Sequence, residues 1–380
     1  VIKTIHIKNF LSLRDVNVTL GETNVCVGAN MTGKSALIKA LKFLGFLTIY
    51  NFDQVVREFG GFSEVLWKGG VRESISFHLK AEYGREFGQK ERHFEYYLEF
   101  AATSLDVVSI QREKLFVGVG SKRKILLADL KNGVGPILHP NGKEAFKSPG
   151  PTNSILHYDV PGWEGTNFRN VISKWRFYDI NPASMKNINP VVRPPYLNGN
   201  GDNLANWLLT LQTAYRPNFL RILQAARDAL PGFSEVTASI TQVGTTFIKS
   251  KEEHLLRDVT VLHMSDGELK YLALLSLILS PPESGAPLFA IEEPDTNLHP
   301  RLLESLITVF NQFRRELGTS KAQVLMTTHS PQLVDLTNPE DLLVFEKQKG
   351  ATIVTRPSSK KHLKKLLTEG ELSLGELFFS

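Results

Sequence analysis

The sequence predicts an α/β protein with a mixed sheet around a parallel core, an antiparallel β lobe and a helical insert. Three patterns carry that prediction. An apolar run at 24–27 feeds a glycine-rich loop and then an amphipathic stretch, the strand–loop–helix order of a parallel unit. From about 67 to 160, short alternating runs such as 75–79, 96–100 and 125–130 are broken by Asn132-Gly133 and Asn141-Gly142, which are hairpin-turn dipeptides. In the last third, short apolar runs alternate with helical patterns once more.

The chain begins with apolar and polar residues in turn (Ile2, Lys3, Thr4, Ile5, His6, Ile7), a strand pattern and not a leader. After the glycine-rich loop, Ala36, Leu37, Ile38, Ala40, Leu41 and Leu44 have the spacing of one buried helical face. Residues 182–201, rich in Asn, Pro and Gly, read as a loop. Helices are expected over 203–213 and 218–230, the second entered after Pro217 and stopped by Pro231-Gly232. The runs 288–291 and 324–328 are continuous and apolar, as strands buried on both faces are, with a helix over about 300–317 between them. Residues 342–345 and 352–354 predict a hairpin around Lys349-Gly350. The expected division is a core from 1–66 plus 260–356, a β-rich lobe over 67–180, a helical insert over 181–259 and a C-terminal tail over 357–380.

Composition narrows the class. No run approaches the roughly 20 apolar residues that span a bilayer, so no membrane span is expected. The single cysteine, Cys26, excludes an intrachain disulfide and a thiol metal cluster, and its simplest setting is a reducing cytoplasm. A net charge of +5 permits contact with nucleic acid without demanding it.

Residues Gly28-Ala29-Asn30-Met31-Thr32-Gly33-Lys34-Ser35 fit G-x-x-x-x-G-K-[ST] at every fixed position, with Ala36 opening the helix. Glycines let backbone N–H groups cradle phosphates at a helix N-terminus, Lys34 is expected to reach the β- and γ-phosphates, and Ser35 to offer a hydroxyl to Mg²⁺. The apolar run 288–291 ends in Glu292-Glu293. Buried carboxylates there are costly unless a charged partner meets them, and Mg²⁺–ATP is such a partner. By position Glu292 faces the metal through water and Glu293 polarises the attacking water. Glutamate at the metal-facing position, where phosphate-loop ATPases commonly use aspartate, is a departure. Ser265-Asp266-Gly267-Glu268 precedes an apolar helix stopped by Pro281-Pro282, with Ser265 as its cap. His329 follows the 324–328 run, where a histidine can touch both a γ-phosphate and the attacking water. Each motif alone has an ordinary reading: a glycine turn, a strand end, a helix cap, a surface histidine. Their order along one chain argues against all four.

Together these residues resemble the SMC/RecF-like branch of the ABC ATPases, and more closely the stand-alone AAA-type ATPases related to OLD-family proteins. The grounds are Ile7-Lys8-Asn9-Phe10, the loop 28–35, the run 265–275, the stretch 291–300, Thr327-Thr328-His329-Ser330-Pro331, Trp175-Arg176-Phe177-Tyr178-Asp179 and Asp202-Asn203-Leu204-Ala205. The likeness is strong at both ends and loose over about 67–158. It implies an ABC-type ATPase head that uses ATP and Mg²⁺ and works as a head-to-tail homodimer with two nucleotides sandwiched between subunits. It implies that Ser265, Asp266, Gly267 and Glu268 form a signature loop facing the γ-phosphate held by the other subunit, and that Asp295 and Asn297 lie in a cross-dimer loop. It implies a prokaryotic anti-phage defence or DNA-repair role with a separate effector, a nuclease or toxin. Departures are the missing heptad coiled coil, too little chain for the nuclease domain of OLD nucleases, and a glutamine loop for which Gln54, Gln89 and Gln111 are the candidates.

Three other readings stay open on sequence. A scaffold that binds ATP without much hydrolysis is motivated by the apolar end Leu377-Phe378-Phe379. DNA binding through Ser121-Lys122-Arg123-Lys124 and 360–365 would be phosphate-led, for no base-reading module accompanies them. A transporter's ATPase subunit is opposed by the antiparallel segment and the Glu292-Glu293 pair.

Overall fold

A computed structural model of the protein describes residues 1–70, 74–83, 92–102, 107–119, 122–317 and 322–356. Gln89, Ser121, the basic run 360–365 and the apolar end 377–379 lie outside the described residues.

The first strands, β1 (Ile2–Phe10) and β2 (Leu13–Thr19), form a hairpin. β3 (Thr23–Val27) then leads through the glycine-rich loop into α1 (Lys34–Phe46). Two short helices follow, α2 (Phe52–Glu58), capped by the Asn51 side chain, and α3 (Phe62–Val65). A meander comes next: β4 (Ile75–Tyr83), β5 (Arg92–Ala102), β6 (Val108–Val119) and β7 (Lys122–Lys131). Alternation drives it. Ile75, Phe77 and Leu79 are buried while Ser76, His78 and Lys80 face outward.

The middle of the chain runs α4 (Glu164–Ser173), β8 (Arg176–Tyr178), α5 (Pro182–Met185) and β9 (Asn189–Pro190). Two longer helices, α6 (Leu204–Ala214) and α7 (Arg216–Ala229), fall close to their expected places. The segment expected to be helical also holds a hairpin, β10 (Phe233–Ile240) with β11 (Thr245–Glu252), and the short β12 (Val259–Thr260). Its turn lacks an Asn-Gly or Asp-Gly signal and its strands are rich in Ser, Thr and Lys, so the pattern is faint in sequence. The last third is α8 (Asp266–Ile278), β13 (Leu288–Ile291), α9 (Pro300–Leu317), β14 (Gln323–Thr327), α10 (Pro331–Asp335), β15 (Leu342–Gln348) and β16 (Ala351–Thr355).

Two six-stranded sheets result. One is antiparallel, in the order β2-β1-β4-β5-β6-β7. The other runs β16-β15-β3-β14-β13-β8 and is parallel except for the β15–β16 hairpin. Sheet membership cuts across the expected segments: β1 and β2 pair into the antiparallel sheet, and β8 joins the parallel one.

The parallel sheet is buried on both faces, and residue parity decides which core each side chain enters. Cys26, Ala290 and Leu325 point into a core shared with α1 and the antiparallel sheet. Val25, Val27, Ile291, Val324 and Met326 point into a second core with α6, α7 and α8. In the first, Phe43 of α1 stacks on Phe100 at 5.4 Å and on Phe77 at 5.6 Å, which locks α1 against the antiparallel sheet. With both faces fixed, β3, β8, β13 and β14 run parallel and discharge their C-terminal ends on one edge, where open α/β sheets bind ligands.

Candidate active site

The phosphate loop is braced by the β15–β16 hairpin. Gly28 has φ 149°, and a Cβ there would lie 2.2 Å from the Phe345 carbonyl oxygen. Gly33 has φ 105°, and its Cβ would meet Thr352 Oγ1 at 2.2 Å and Ser12 Oγ at 2.6 Å. Only glycine fits either position. Thr352 Oγ1 donates to the Thr32 carbonyl at 2.7 Å and so accepts from Ser12 Oγ at 2.8 Å, and Thr32 donates to the Ala29 carbonyl at 2.8 Å. Asn30 and Met31 are exposed at the loop's tip, and Ala36 is buried in α1. Gly33 ends the loop as the N-cap of α1 and supplies no side-chain cap, which leaves first-turn N–H groups to an incoming anion.

Lys34 is buried and turned back into the loop. Its Nζ donates to the Gly28 carbonyl at 2.7 Å and the Ala29 carbonyl at 2.9 Å, and lies 3.5 Å from His329 Nδ1. Burial pushes its pKa down, opposed chiefly by the Glu293 charge. The other ring nitrogen of His329, Nε2, is 3.3 Å from Glu293 Oε1. Lysine can only donate, so Nδ1 is the acceptor and Nε2 carries the hydrogen that faces Glu293. Burial and the Lys34 charge push the His329 pKa below its ordinary value, against the charges of Glu293 and Asp295, which favours the neutral ring that this tautomer needs.

The acidic pair divides. Burial pushes the Glu292 carboxyl up and Asp179 adds repulsion, while the nearby Ser35 hydroxyl and the charges of Lys39 and Lys42 oppose the rise. A hydroxyl and a carboxylate side by side are the hard oxygen donors that suit Mg²⁺. Glu293 sits at φ 42°, left-handed and uncommon for a non-glycine residue. Its N–H is held by the Thr327 carbonyl at 3.1 Å and Thr327 Oγ1 at 3.2 Å. Its carbonyl accepts from Lys270 Nζ at 2.8 Å and Thr296 Oγ1 at 2.8 Å. Asp295 follows, pushed up by burial and held by the Thr328 hydroxyl, with its Oδ1 buried and unpartnered among the described residues.

The signature segment lies elsewhere. Ser265 and Glu268 form a reciprocal capping box on α8: Ser265 N–H to Glu268 Oε2 at 2.7 Å, Glu268 N–H to Ser265 Oγ at 3.2 Å. Asp266 is exposed and pairs with Lys186 at 2.9 Å. Gly267 packs on the turn after the acidic pair, where a Cβ would come within 2.9 Å of the Asn297 carbonyl. Ser265, Asp266 and Asn297 thus form one exposed surface, while Lys34, Glu293 and His329 form an inner cluster.

Of the glutamine-loop candidates, Gln54 is exposed in the first turn of α2, and Gln111 lies on β6 with its amide donating to Ser109. Neither joins the cluster. The strand beside β13 is β8, and the residue after it, Asp179, acts on Glu292 and Lys270 electrostatically. Sequence reading passed over Asp179 and Lys270. The signal for Lys270 was present, as the one cation of a helix that is apolar beyond Glu268 except for it and Ser276.

Residues 202–335 match a family model described as "AAA domain, putative AbiEii toxin, Type IV TA system". No curated protein matches the chain. Among solved structures it is similar to an SMC head bound to the C-winged helix domain of ScpA, at 15% identity over 95% of this chain and 99% of that one, with a TM-score of 0.55. It is similar also to an SMC head with an extended coiled coil bound to the C-terminal domain of ScpA derived from Pyrococcus furiosus, at 13% identity over 97% and 99%, with a TM-score of 0.54. At such identities the likeness is one of fold: the chain has the fold of an SMC-like, ABC-type ATPase head. Among the described residues no helix is long and apolar enough to cross a membrane.

Proposed function

We propose that the protein is an ATPase that dimerises head to tail around two ATP molecules and works with a separate effector, a nuclease or toxin, in defence or DNA repair. The observation that carries the reading is the split between inner cluster and outer surface. Lys34, His329 and Glu293 converge within 3.5 Å and 3.3 Å contacts. The capped helix of Ser265 and Gly267 instead faces outward beside Asn297, as a surface that completes another subunit's site would.

In this reading Lys34 leaves the carbonyls of Gly28 and Ala29 for the β- and γ-phosphates, while the loop's N–H groups hold the rest of the chain of phosphates. Ser35 and Glu292 would hold Mg²⁺, which would offset phosphate charge. Glu293 accepts a proton from the attacking water, and neutral His329 donates its Nε2 hydrogen toward Glu293 or the γ-phosphate and so orients both. Ser265 and Gly267 meet the partner's γ-phosphate, with Asp295 and Asn297 lining the crossing. Hydrolysis removes the bridging phosphate and releases the dimer. The effector role rests on the toxin–antitoxin description of the matched family and on the ScpA-bound state of the similar heads. Any DNA contact would be phosphate-led and weaken steeply with salt.

The test is solution mass by light scattering with and without ATP–Mg²⁺, with phosphate release followed in parallel, for the wild type and Glu293→Gln. The wild type is expected to move from monomer to dimer and back. The variant is expected to stay dimeric, with release slowed about 10²–10⁴-fold, the range of a lost general base. A mass indifferent to nucleotide in both proteins overturns the sandwich and favours an ATP-binding scaffold.

A further inference from the structure

Helix α8 is buried over Leu269, Tyr271, Leu272, Ala273, Leu274 and Leu275, and Lys270 is buried among them at 2% exposure. An ammonium in such a place is costly unless hydrogen-bond acceptors and opposite charges meet it. Among the described residues Lys270 makes no direct ion pair. Its Nζ donates to the Glu293 carbonyl at 2.8 Å and to the Thr296 hydroxyl, with the charges of Asp295, Asp179 and Glu293 around it. Both bonds go to backbone or side chain of the turn that carries the acidic residue nearest His329.

That turn needs fixing. Glu293 is left-handed, and its orientation is set by the Thr327 bonds on the N–H side and by Lys270 and Thr296 on the carbonyl side. The other end of the connection is equally short. Ser265 caps the same helix about 7–8 Å from Lys270 along the axis, at 1.5 Å per residue. A helix transmits a tilt or slide of its first turn rigidly over that distance.

We infer that Lys270 is a positioning residue that couples the two nucleotide sites of the dimer: it ties the turn bearing Glu293, which serves a subunit's own ATP, to the helix whose cap meets the partner's ATP. The inference rests on the sandwich reading above and deepens it. When the partner's γ-phosphate is present, the cap of α8 is held, and Lys270 holds the Glu293 turn in its working geometry. When that phosphate is gone, the helix is free to shift, and the Glu293 carboxylate is displaced from the water it activates.

The experiment compares wild type, Lys270→Met and Thr296→Val for ATP affinity, ATP-dependent dimer mass, kcat and Hill coefficient. Thr296 is exposed, so its variant guards against a fold defect at the buried lysine. Expected for Lys270→Met are ATP affinity within about threefold of wild type, a dimer that still forms, kcat lowered about tenfold or more, and a Hill coefficient that drops from above one to about one. Thr296→Val moves the same way by a smaller factor. In mixed dimers with Lys34→Ala in one subunit, the intact site is expected to slow when the other subunit carries no ATP. That dependence disappears when the intact subunit also carries Lys270→Met. A wild type that dimerises but hydrolyses without cooperativity overturns the inference, and so does a Lys270→Met protein that loses kcat yet keeps the Hill coefficient. A wild type that never dimerises with ATP sinks the sandwich reading and this inference with it.

Discussion

Two carboxylates, the half-buried Glu292 at the edge of the parallel sheet and the buried Glu113 inside the antiparallel one, both have pKa values raised by burial, and the protein treats them oppositely. Glu113 is enclosed by donors. Tyr96 donates at 2.6 Å, Ser154 also donates to Oε1, and the Ile155 N–H reaches both oxygens at 3.1–3.2 Å. Glu292 has the Ser35 hydroxyl but faces Asp179, a like charge, across a strand end that opens to solvent. Nearby, Asp295 keeps a buried oxygen with no partner among the described residues, and Lys34 is met by the loop carbonyls and His329 Nδ1. A closed network stabilises and specifies a core, whereas groups left short of partners are poised to take a ligand. The comparison yields a rule for this molecule on the proposed reading: Lys34 and Glu292 at the parallel sheet's edge serve function at some cost to stability, whereas Glu113 belongs to the packing of the lobe.

The largest expected effect that tests this rule comes from Lys34→Ala. Phosphate release is expected to fall about 10²–10³-fold, the loss seen when a preorganised charged donor is removed. ATP affinity should fall with it. Thermal stability is expected to hold or rise, because a buried, desolvated ammonium has been deleted. Calorimetry alongside a nucleotide-binding titration decides the matter. A variant that unfolds early would place Lys34 with the structural charges and break the comparison.

Ser265→Arg sharpens it from the outer surface. The side chain is exposed, so the monomer should fold and bind ATP with affinity within a few-fold of wild type. The Arg is expected to block the surface against a second subunit, so that ATP no longer yields a dimer and release slows about tenfold or more. Loss of ATP affinity in the isolated monomer would instead mean that this loop serves its own subunit's nucleotide.

How much of this was legible in sequence follows from how local each signal is. The phosphate loop is eight adjacent residues whose glycines and lysine answer to contacts made within one turn. The strands β13 and β14 and the helix α9 were readable because burial on both faces leaves continuous apolar runs, and an amphipathic helix leaves a stripe. Sheet membership was not readable. Whether β1 joins β4 or β3 depends on pairing across tens of residues, and a period of two is the same in either sheet. The β10–β11 hairpin escaped because its polar strands face water on one side and its turn carries no strong dipeptide. Lys270 was passed over in α8, and its meaning depends on Glu293 and Thr296, which only the fold brings to it.

The smallest effect is the cleanest probe of the lobe. Burial pushes Glu113 up to about 7 from an ordinary 4.5. Between those values the folded protein holds a proton that the unfolded chain has released, so Glu113 favours the folded state most below about 4.5, and that contribution is lost as pH rises through about 7. The loss is on the order of 1–3 kcal/mol. Glu113→Gln keeps an oxygen to accept from Tyr96 and Ser154 and cannot ionise. Its melting temperature should track wild type near pH 5 and exceed it above pH 7, while phosphate release stays at the wild-type rate. If the two melting curves run parallel across that range, the closed network holds Glu113 ionised at low cost, and burial does not govern its charge as the comparison requires.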